Sequence, residues 1–212
     1  MHLKPTSVVA TALIALVAGC VSSERKPAVQ AVTSLSDTRT ELVAGRANID
    51  EAIAALGTLE AQPDNLTPPY NQYKTSVTRV ERRAKAVTER VRDMRERSAE
   101  YRTSWAEENA QISDPTIRAT SQERRERVME RYQQVDQKVQ ALRPAYDPFI
   151  RQLRDLETVL ANDLTYAGVQ AARPAFERIR QSANTLRDQI DAVVAELDDA
   201  SMRLSPSTQP AR

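Results

Sequence analysis

The chain has 212 residues, of which 28% are charged and 4% aromatic, with four glycines and one cysteine. So few glycines and aromatic residues argue against a β-rich fold with many tight turns, whereas the abundance of Ala, Glu, Arg, Gln and Leu is typical of long helices. A single cysteine excludes an internal disulfide and a cluster of thiolate metal ligands.

The first nineteen residues have the three parts of an export signal. Lys4 supplies a short positive region, and residues 8–18 form an uncharged run that is too short to span a bilayer of about 30 Å as a stable helix. The run ends in the sequence VAGC at 17–20, which is similar to the lipobox of bacterial lipoproteins. We therefore predict a signal peptide at 1–19 and lipidation of Cys20. The alternative is a soluble secreted protein with a chance cysteine.

The resemblance to lipoproteins implies two or three acyl chains on Cys20, and two chains anchor a protein stably where one does not. Val21 follows the cysteine in place of the aspartate that retains lipoproteins in the inner membrane, so we expect the periplasmic face of the outer membrane. By composition, residues 20–33 are predicted to be a lipidated flexible tether and residues 205–212 a disordered tail.

The charge balance and the absence of histidine from the mature chain argue against several classes of function. Without Lys4, 29 basic residues balance 29 acidic ones, and no histidine remains because His2 lies in the signal. A nucleic-acid binder would show a basic excess, and histidine is needed in most catalytic triads and transition-metal sites. We expect no enzymatic activity, no cofactor, no metal and no nucleic-acid partner.

Three segments carry an apolar stripe with alternating steps of three and four residues, which is the seam of a coiled coil. The stripes run from 70 to 112, from 128 to 160 and from 169 to 204, and Ser98 occupies one place in the first stripe where an apolar residue is expected. A weaker stripe predicts a shorter helix at 34–59.

The connections between these helices have recognisable chemistry. Asp114 is a good N-cap and Pro115 suits the first position of the second long helix, while Thr165 is a candidate cap for the third. Pro144 and Pro148 lie inside the second stripe without changing its phase. We expect a kink there without a chain reversal, a break into two helices being the alternative.

Short turns make neighbouring long helices antiparallel. Residues 34–204 are therefore predicted to form an all-α fold, a long antiparallel helical coiled-coil bundle of three long helices plus a shorter N-terminal helix. Arg39 and Arg46 flank the seam of the shorter helix, so its docking is the least determined. The hairpin at 102–126, called here the hairpin tip, is predicted to project about 18 to 20 Å beyond the bundle, on the side from which the tether leaves.

Residues 70–204 resemble the bacterial family known as domain of unknown function 2959. The resemblance is carried by Tyr70 with Tyr73, VERRAKAVTERVRDM at 80–94, Trp105 with Glu107, RERVMERYQQV at 125–135, Pro144 and LANDLTYAGV at 160–169. The chain departs from the family pattern at Pro148 and Pro174. The resemblance implies a helical architecture and an envelope setting, and it supplies no functional residues.

Eight of the nine aromatic residues lie on the stripes, which favours core packing over a ligand-stacking groove. Trp105 lies on a stripe but is not expected to be fully buried, because two helices near a projecting tip cannot enclose an indole. Together with Tyr101, Ile112 and Ile117 it forms the candidate interaction tip. Residues 79–102 also hold nine basic and five acidic side chains, which could contact anionic lipid or simply form a solvated helix face.

We expect a membrane-anchored envelope lipoprotein that acts as a non-enzymatic scaffold or protein-interaction module. One alternative is a membrane-surface module that binds anionic lipid. Another is a periplasmic holdase-like chaperone, which needs an oligomer with an apolar cavity. A homo-oligomer also stays open, since a coiled-coil seam can be satisfied within one chain or between chains.

Overall fold

The computed structural model describes residues 26–62 and 64–204, and these residues form helices with no strand among them. The helices are α1 (Lys26–Ala61), α2 (Thr67–Ala110), α3 (Pro115–Gln140), α4 (Arg143–Asn162) and α5 (Tyr166–Leu204). Because only two residues separate α3 from α4, the helices make four rods. The prediction of an all-α helical bundle is confirmed. The predicted signal peptide, Cys20 and the predicted disordered tail lie outside the described residues.

The four rods pack in a ring in which each rod is antiparallel to its neighbours. α1 packs on α2 and α5, and the α3–α4 rod packs on the same two helices from the opposite side. The direction of α1 against α5 follows from two ion pairs in reverse order, Arg39 with Asp198 and Arg46 with Asp191. The arginines that flank the seam of α1 therefore hold this helix against α5.

α1 begins at Lys26, eight residues before the predicted start at 34, so the predicted tether is wrong over 26–33. The cause is that the seam of α1 continues upstream to Ala31, which is fully buried. Four of the nine buried seam positions carry small residues, which a search for large apolar residues does not detect. The buried seam positions are Ala31, Leu35, Thr38, Leu42, Gly45, Ile49, Ala52, Leu56 and Leu59.

The small seam residues bring α1 close to α2. A Cβ atom on Gly45 would lie 3.3 Å from Cγ of Arg83 on α2. The hydroxyl of Thr38 lies 3.3 Å from the backbone oxygen of Arg90, to which it can donate a hydrogen bond across the interface. The docking of α1 was the least determined part of the sequence prediction, yet its interface with α2 is continuous along the helix.

The second predicted helix is divided into α3 and α4. Pro144 has no backbone N–H, so the carbonyl of Gln140 loses its helical partner and α3 ends there. Ala141 and Leu142 nevertheless keep right-handed helical backbone angles, and Leu142 stays buried. Two helices thus follow one another without a chain reversal, and Pro148 is accommodated inside α4.

Both predicted helix caps are present. Oδ1 of Asp114 accepts hydrogen bonds from the backbone N–H groups of Thr116 at 2.8 Å and Ile117 at 3.0 Å. The hydroxyl oxygen of Thr165 accepts one from the N–H of Gly168 at 3.0 Å. These bonds satisfy donors that the first turn of each helix leaves without partners.

The aromatic side chains fill the core as predicted. Tyr73, Phe149 and Phe176 are fully buried, and the one aromatic residue off the stripes, Tyr166, is 58% exposed. The hydroxyl of Tyr73 donates to the backbone oxygen of Leu153 on α4 at 2.8 Å, and burial raises the pKa of this phenol. The hydroxyl therefore stays protonated and joins α2 to α4.

We expect Gly168→Ala to lower the free energy of unfolding by about 1–3 kcal/mol, the usual cost of overpacking. A Cβ atom at this position would lie 2.3 Å from the backbone oxygen of Asp163, so the turn between α4 and α5 would have to shift. Urea unfolding followed by circular dichroism measures the change.

Gly57→Ala is the matched control, because a Cβ atom on Gly57 meets no atom within 4 Å. This substitution should raise stability by about 0.5–1 kcal/mol, since alanine loses less backbone entropy in a helix. Equal stability of the two variants would contradict the close approach at Gly168.

Candidate interaction surface at the hairpin tip

The hairpin tip extends past the described end of α5. A side-chain nitrogen of Arg124 donates to the backbone oxygen of Arg203 at 3.4 Å, which places the end of α5 level with Arg124. The part of α3 from Pro115 to Arg124 rises about 14 Å, slightly less than the predicted projection, before the turn is included. Of the described helices, only α2 and α3 form this region.

α1 begins at the same end of the bundle. Thr38 lies level with Arg90 of the antiparallel α2, and Lys26 comes twelve residues earlier. Twelve helical residues rise about 18 Å, so Lys26 lies close to the level at which the hairpin tip begins. The described start of α1 is thus on the predicted side of the bundle.

Tyr101 and Trp105 stack on one another where the projecting part of the hairpin begins. Their ring centroids are 5.3 Å apart and their planes differ by 29°. The indole N–H donates to the hydroxyl of Ser121 on α3 at 3.2 Å. Trp105 is only partly buried, as predicted, and burial raises the pKa of Tyr101.

The two isoleucines of the candidate tip flank the turn. Ile112 is half-buried, and Ile117 is 60% exposed. The guanidinium of Arg118 donates to the backbone oxygen of Ile112 from Nε at 2.9 Å and from Nη2 at 2.6 Å. This clamp and the Asp114 cap give the turn a defined shape, on which Ile117 is displayed. The structure brings Tyr101 and Trp105 together, and the interaction role of all four residues stays a prediction.

Asn109 is a tip residue that sequence reasoning missed. It is only 7% exposed, and its Oδ1 atom has no hydrogen-bond partner among the described residues. An unpaired buried polar group costs about 1–3 kcal/mol. Alternating steps of three and four predict Glu108 as the seam position after Trp105. The structure buries Asn109 instead, so a step of four precedes a step of three to Ile112.

A hollow of about 220 Å³ opens between α2 and α3 below the Tyr101–Trp105 stack. Ser98, which occupies a seam position where the stripe predicts a large apolar side chain, is one of its lining residues. The hydroxyl of Tyr132 is buried without a partner in the described part of the chain, and burial raises its pKa. The lining residues are Met94, Arg95, Ser98, Ala99, Arg102, Met129, Tyr132, Gln133 and Asp136.

The basic stretch at 79–102 is partly neutralised by other helices. Three carboxylates pair with it, Glu51 with Arg79, Glu41 with Arg83 and Asp136 with Arg95. One pair acts in the opposite direction, because Arg154 of α4 neutralises Glu81 of the stretch. These contacts lower the local excess of four positive charges to two, which weakens the case for an anionic-lipid surface. Arg102 forms no ion pair with any described residue.

No helix within 26–62 and 64–204 is long and apolar enough to cross a membrane. The same residues contain no group of three or more acidic, cysteine or histidine side chains placed to hold a metal ion. A family model described as "Protein of unknown function (DUF2959)" matches residues 22–202, in agreement with the resemblance seen in the sequence. No curated protein and no solved structure matches the chain.

We expect Trp105→Ala to lower the free energy of unfolding by less than about 2 kcal/mol, because the indole is only partly buried and packs on a single neighbouring helix. Phe149→Ala, which removes a fully buried ring, should cost about 3–5 kcal/mol. Urea unfolding followed by far-ultraviolet circular dichroism compares the two. Equal losses would show that the hairpin tip supports the core.

Proposed function

We propose that this chain, which belongs to the family described as "Protein of unknown function (DUF2959)", is a lipid-anchored protein of the bacterial cell envelope that presents its hairpin tip to a protein partner. The observation that carries the proposal is the presence of accessible apolar side chains on the tip, where Ile117 is exposed and Trp105 is only partly buried. The lipobox-like sequence VAGC at 17–20 supports the anchor and the envelope setting.

The residue types at the tip suit a protein interface. Tyrosine, tryptophan and arginine are enriched in interface cores and among the residues that dominate binding energy. Complete burial of a large apolar side chain such as Ile117 stabilises a complex by about 1.5–3 kcal/mol. The clamped turn presents Ile117 on a preformed backbone, so little entropy is lost when a partner binds.

The proposed anchor limits where the tip can lie in the cell. Six peptide units join Cys20 to Lys26, and a fully extended chain of that length spans about 20 Å. Because α1 begins at the tip end of the bundle, lipid on Cys20 would hold this end near the membrane. The proposed partner is therefore a protein at or near the membrane surface.

The alternatives have weaker support. Binding of anionic lipid needs a sustained basic surface, and the ion pairs from α1 and α3 reduce the charge of residues 79–102. A holdase-like chaperone needs a large apolar cavity. The hollow described above holds about 220 Å³, and a second one of about 500 Å³ between α1 and α2 is lined mostly by polar side chains such as Gln72 and Arg79. These comparisons favour a protein partner over a lipid surface or an unfolded client.

Cys20→Ala should release the mature protein from the membrane and leave its far-ultraviolet circular dichroism and melting temperature unchanged. The reason is that the cysteine is proposed only to carry lipid, while the core is built from residue 31 onward. Fractionation of cells into membrane and soluble parts measures the release. Ser22→Ala is the control and should stay in the membrane fraction. Retention of the Cys20→Ala variant would contradict the lipid anchor.

Replacement of Ile117 by the photoreactive amino acid p-benzoylphenylalanine should give crosslinks to a protein partner in illuminated cells, because this side chain is exposed at the tip. Mass spectrometry identifies the crosslinked peptides. Val159 is the matched control position, since it is an apolar residue of similar exposure, 52%, near the other end of the bundle. Crosslinks only to lipid, equal yields at both positions or no crosslink from position 117 would reject the proposal.

A further inference from the structure

We infer that the hollow between α2 and α3 is a binding site for one large apolar side chain, carried on an acidic helix of a partner protein. This inference rests on the proposed function and specifies the chemistry of the partner. The site lies in the groove along the antiparallel α2 and α3, directly below the Tyr101–Trp105 stack, so one partner helix could contact the groove and the tip together.

The size of the hollow favours a side chain over a small molecule. Sites for small molecules and cofactors usually enclose about 300–1,000 Å³, and this hollow of about 220 Å³ is smaller. A volume in this range suits a single inserted side chain, which is how a buried anchor residue occupies a pocket at a protein interface.

The seam of the α2–α3 hairpin explains why the inserted side chain would come from a helix. In a coiled coil each apolar side chain of one helix fills a hole formed by side chains of its partner. Ser98 is too small to fill such a hole, which Met94, Met129 and Tyr132 also line. A helix lying in the groove would place an apolar side chain there, as in other helix-in-groove complexes.

The charge around the hollow indicates an acidic partner. Arg95 is neutralised by Asp136 across the groove, with 2.5 Å between Nε and Oδ1. Arg102 is exposed and has no ion-pair partner in the described ranges, so the uncompensated charge of the lining is positive. A carboxylate on the partner helix would pair with Arg102, and complementary charge of this kind favours correct partners and faster association.

Tyr132 is a second and independent indication that the site is incomplete. Tyr132 lines the hollow, and its hydroxyl is buried without a hydrogen-bond partner in the described chain. Buried polar atoms without partners are uncommon in folded proteins, and each one calls for an explanation. An acceptor or donor on the inserted segment would supply the missing bond.

The test uses the full chain in the cells that make it, with p-benzoylphenylalanine in place of Gln133 on the rim of the hollow. Gln134 is the control position, since it is the neighbouring glutamine and does not line the hollow. We expect crosslinks from position 133 to a helical peptide with a large apolar residue flanked by Asp or Glu.

Two substitutions then test the role of the hollow itself. Ser98→Leu fills it and should reduce the crosslink yield by about tenfold or more, while the melting temperature stays the same or rises. Thr88→Leu is the control on an exposed face of α2 and should have no effect. Arg102→Glu should lower the yield several-fold, whereas Arg82→Glu, also exposed and without an ion pair in the described chain, should not.

Several outcomes would overturn the inference. They are crosslinks from position 133 to lipid or to a second copy of this chain, yields no higher than at position 134, or an unchanged yield with Ser98→Leu. A protein crosslink from position 117 together with none from position 133 would leave the proposed function standing and reject only the site in the hollow.

Discussion

The burial of apolar stripes with a period of 3.5 residues is the constraint on which the rest of the molecule depends. A helix whose stripe repeats in this way has to cover it with neighbouring helices along its whole length. Four antiparallel rods in a ring satisfy this requirement for most of the bundle. The rods differ in extent, because α2 and α3 continue past the described ends of α1 and α5. Two helices alone cannot enclose an indole, so the exposure of the tip follows from this difference.

Three positions where a stripe becomes polar lie in the tip-side half of the α2–α3 hairpin. Ser98, Asn109 and Ser121 occupy positions that face the neighbouring helix, where apolar residues would bury more surface. Natural sequences break local packing rules mainly where function requires it. The hollow beside Ser98, the buried amide oxygen of Asn109 and the partly buried Trp105 all lie on this one hairpin, to which the proposed function assigns partner binding.

Ion pairs contribute to the arrangement of the rods more than to their stability. Exposed pairs are worth about 0–1 kcal/mol each, so the pairs between α1 and α5 add little to the free energy of folding. Because these ion pairs recur along both helices, they still favour one register of α1 against α5. A slip of one residue would break all of them at once. Glu196 does the same between α5 and α3, where hydrogen bonds from Lys138 and Arg131 lower the pKa of its carboxyl group.

The sequence by itself determined the helical class, the three strong stripes, the caps at Asp114 and Thr165 and the half-covered position of Trp105. These features depend on local backbone preferences and on periodicity, both of which can be read along one chain. The extent and docking of α1 were decided by tertiary structure, because its small seam residues Thr38 and Gly45 acquire meaning only against the backbone of α2. The hollow and the burial of Asn109 were likewise decided by packing. A serine in a stripe indicates a gap only when the opposite helix fails to fill it, and that depends on the register between α2 and α3.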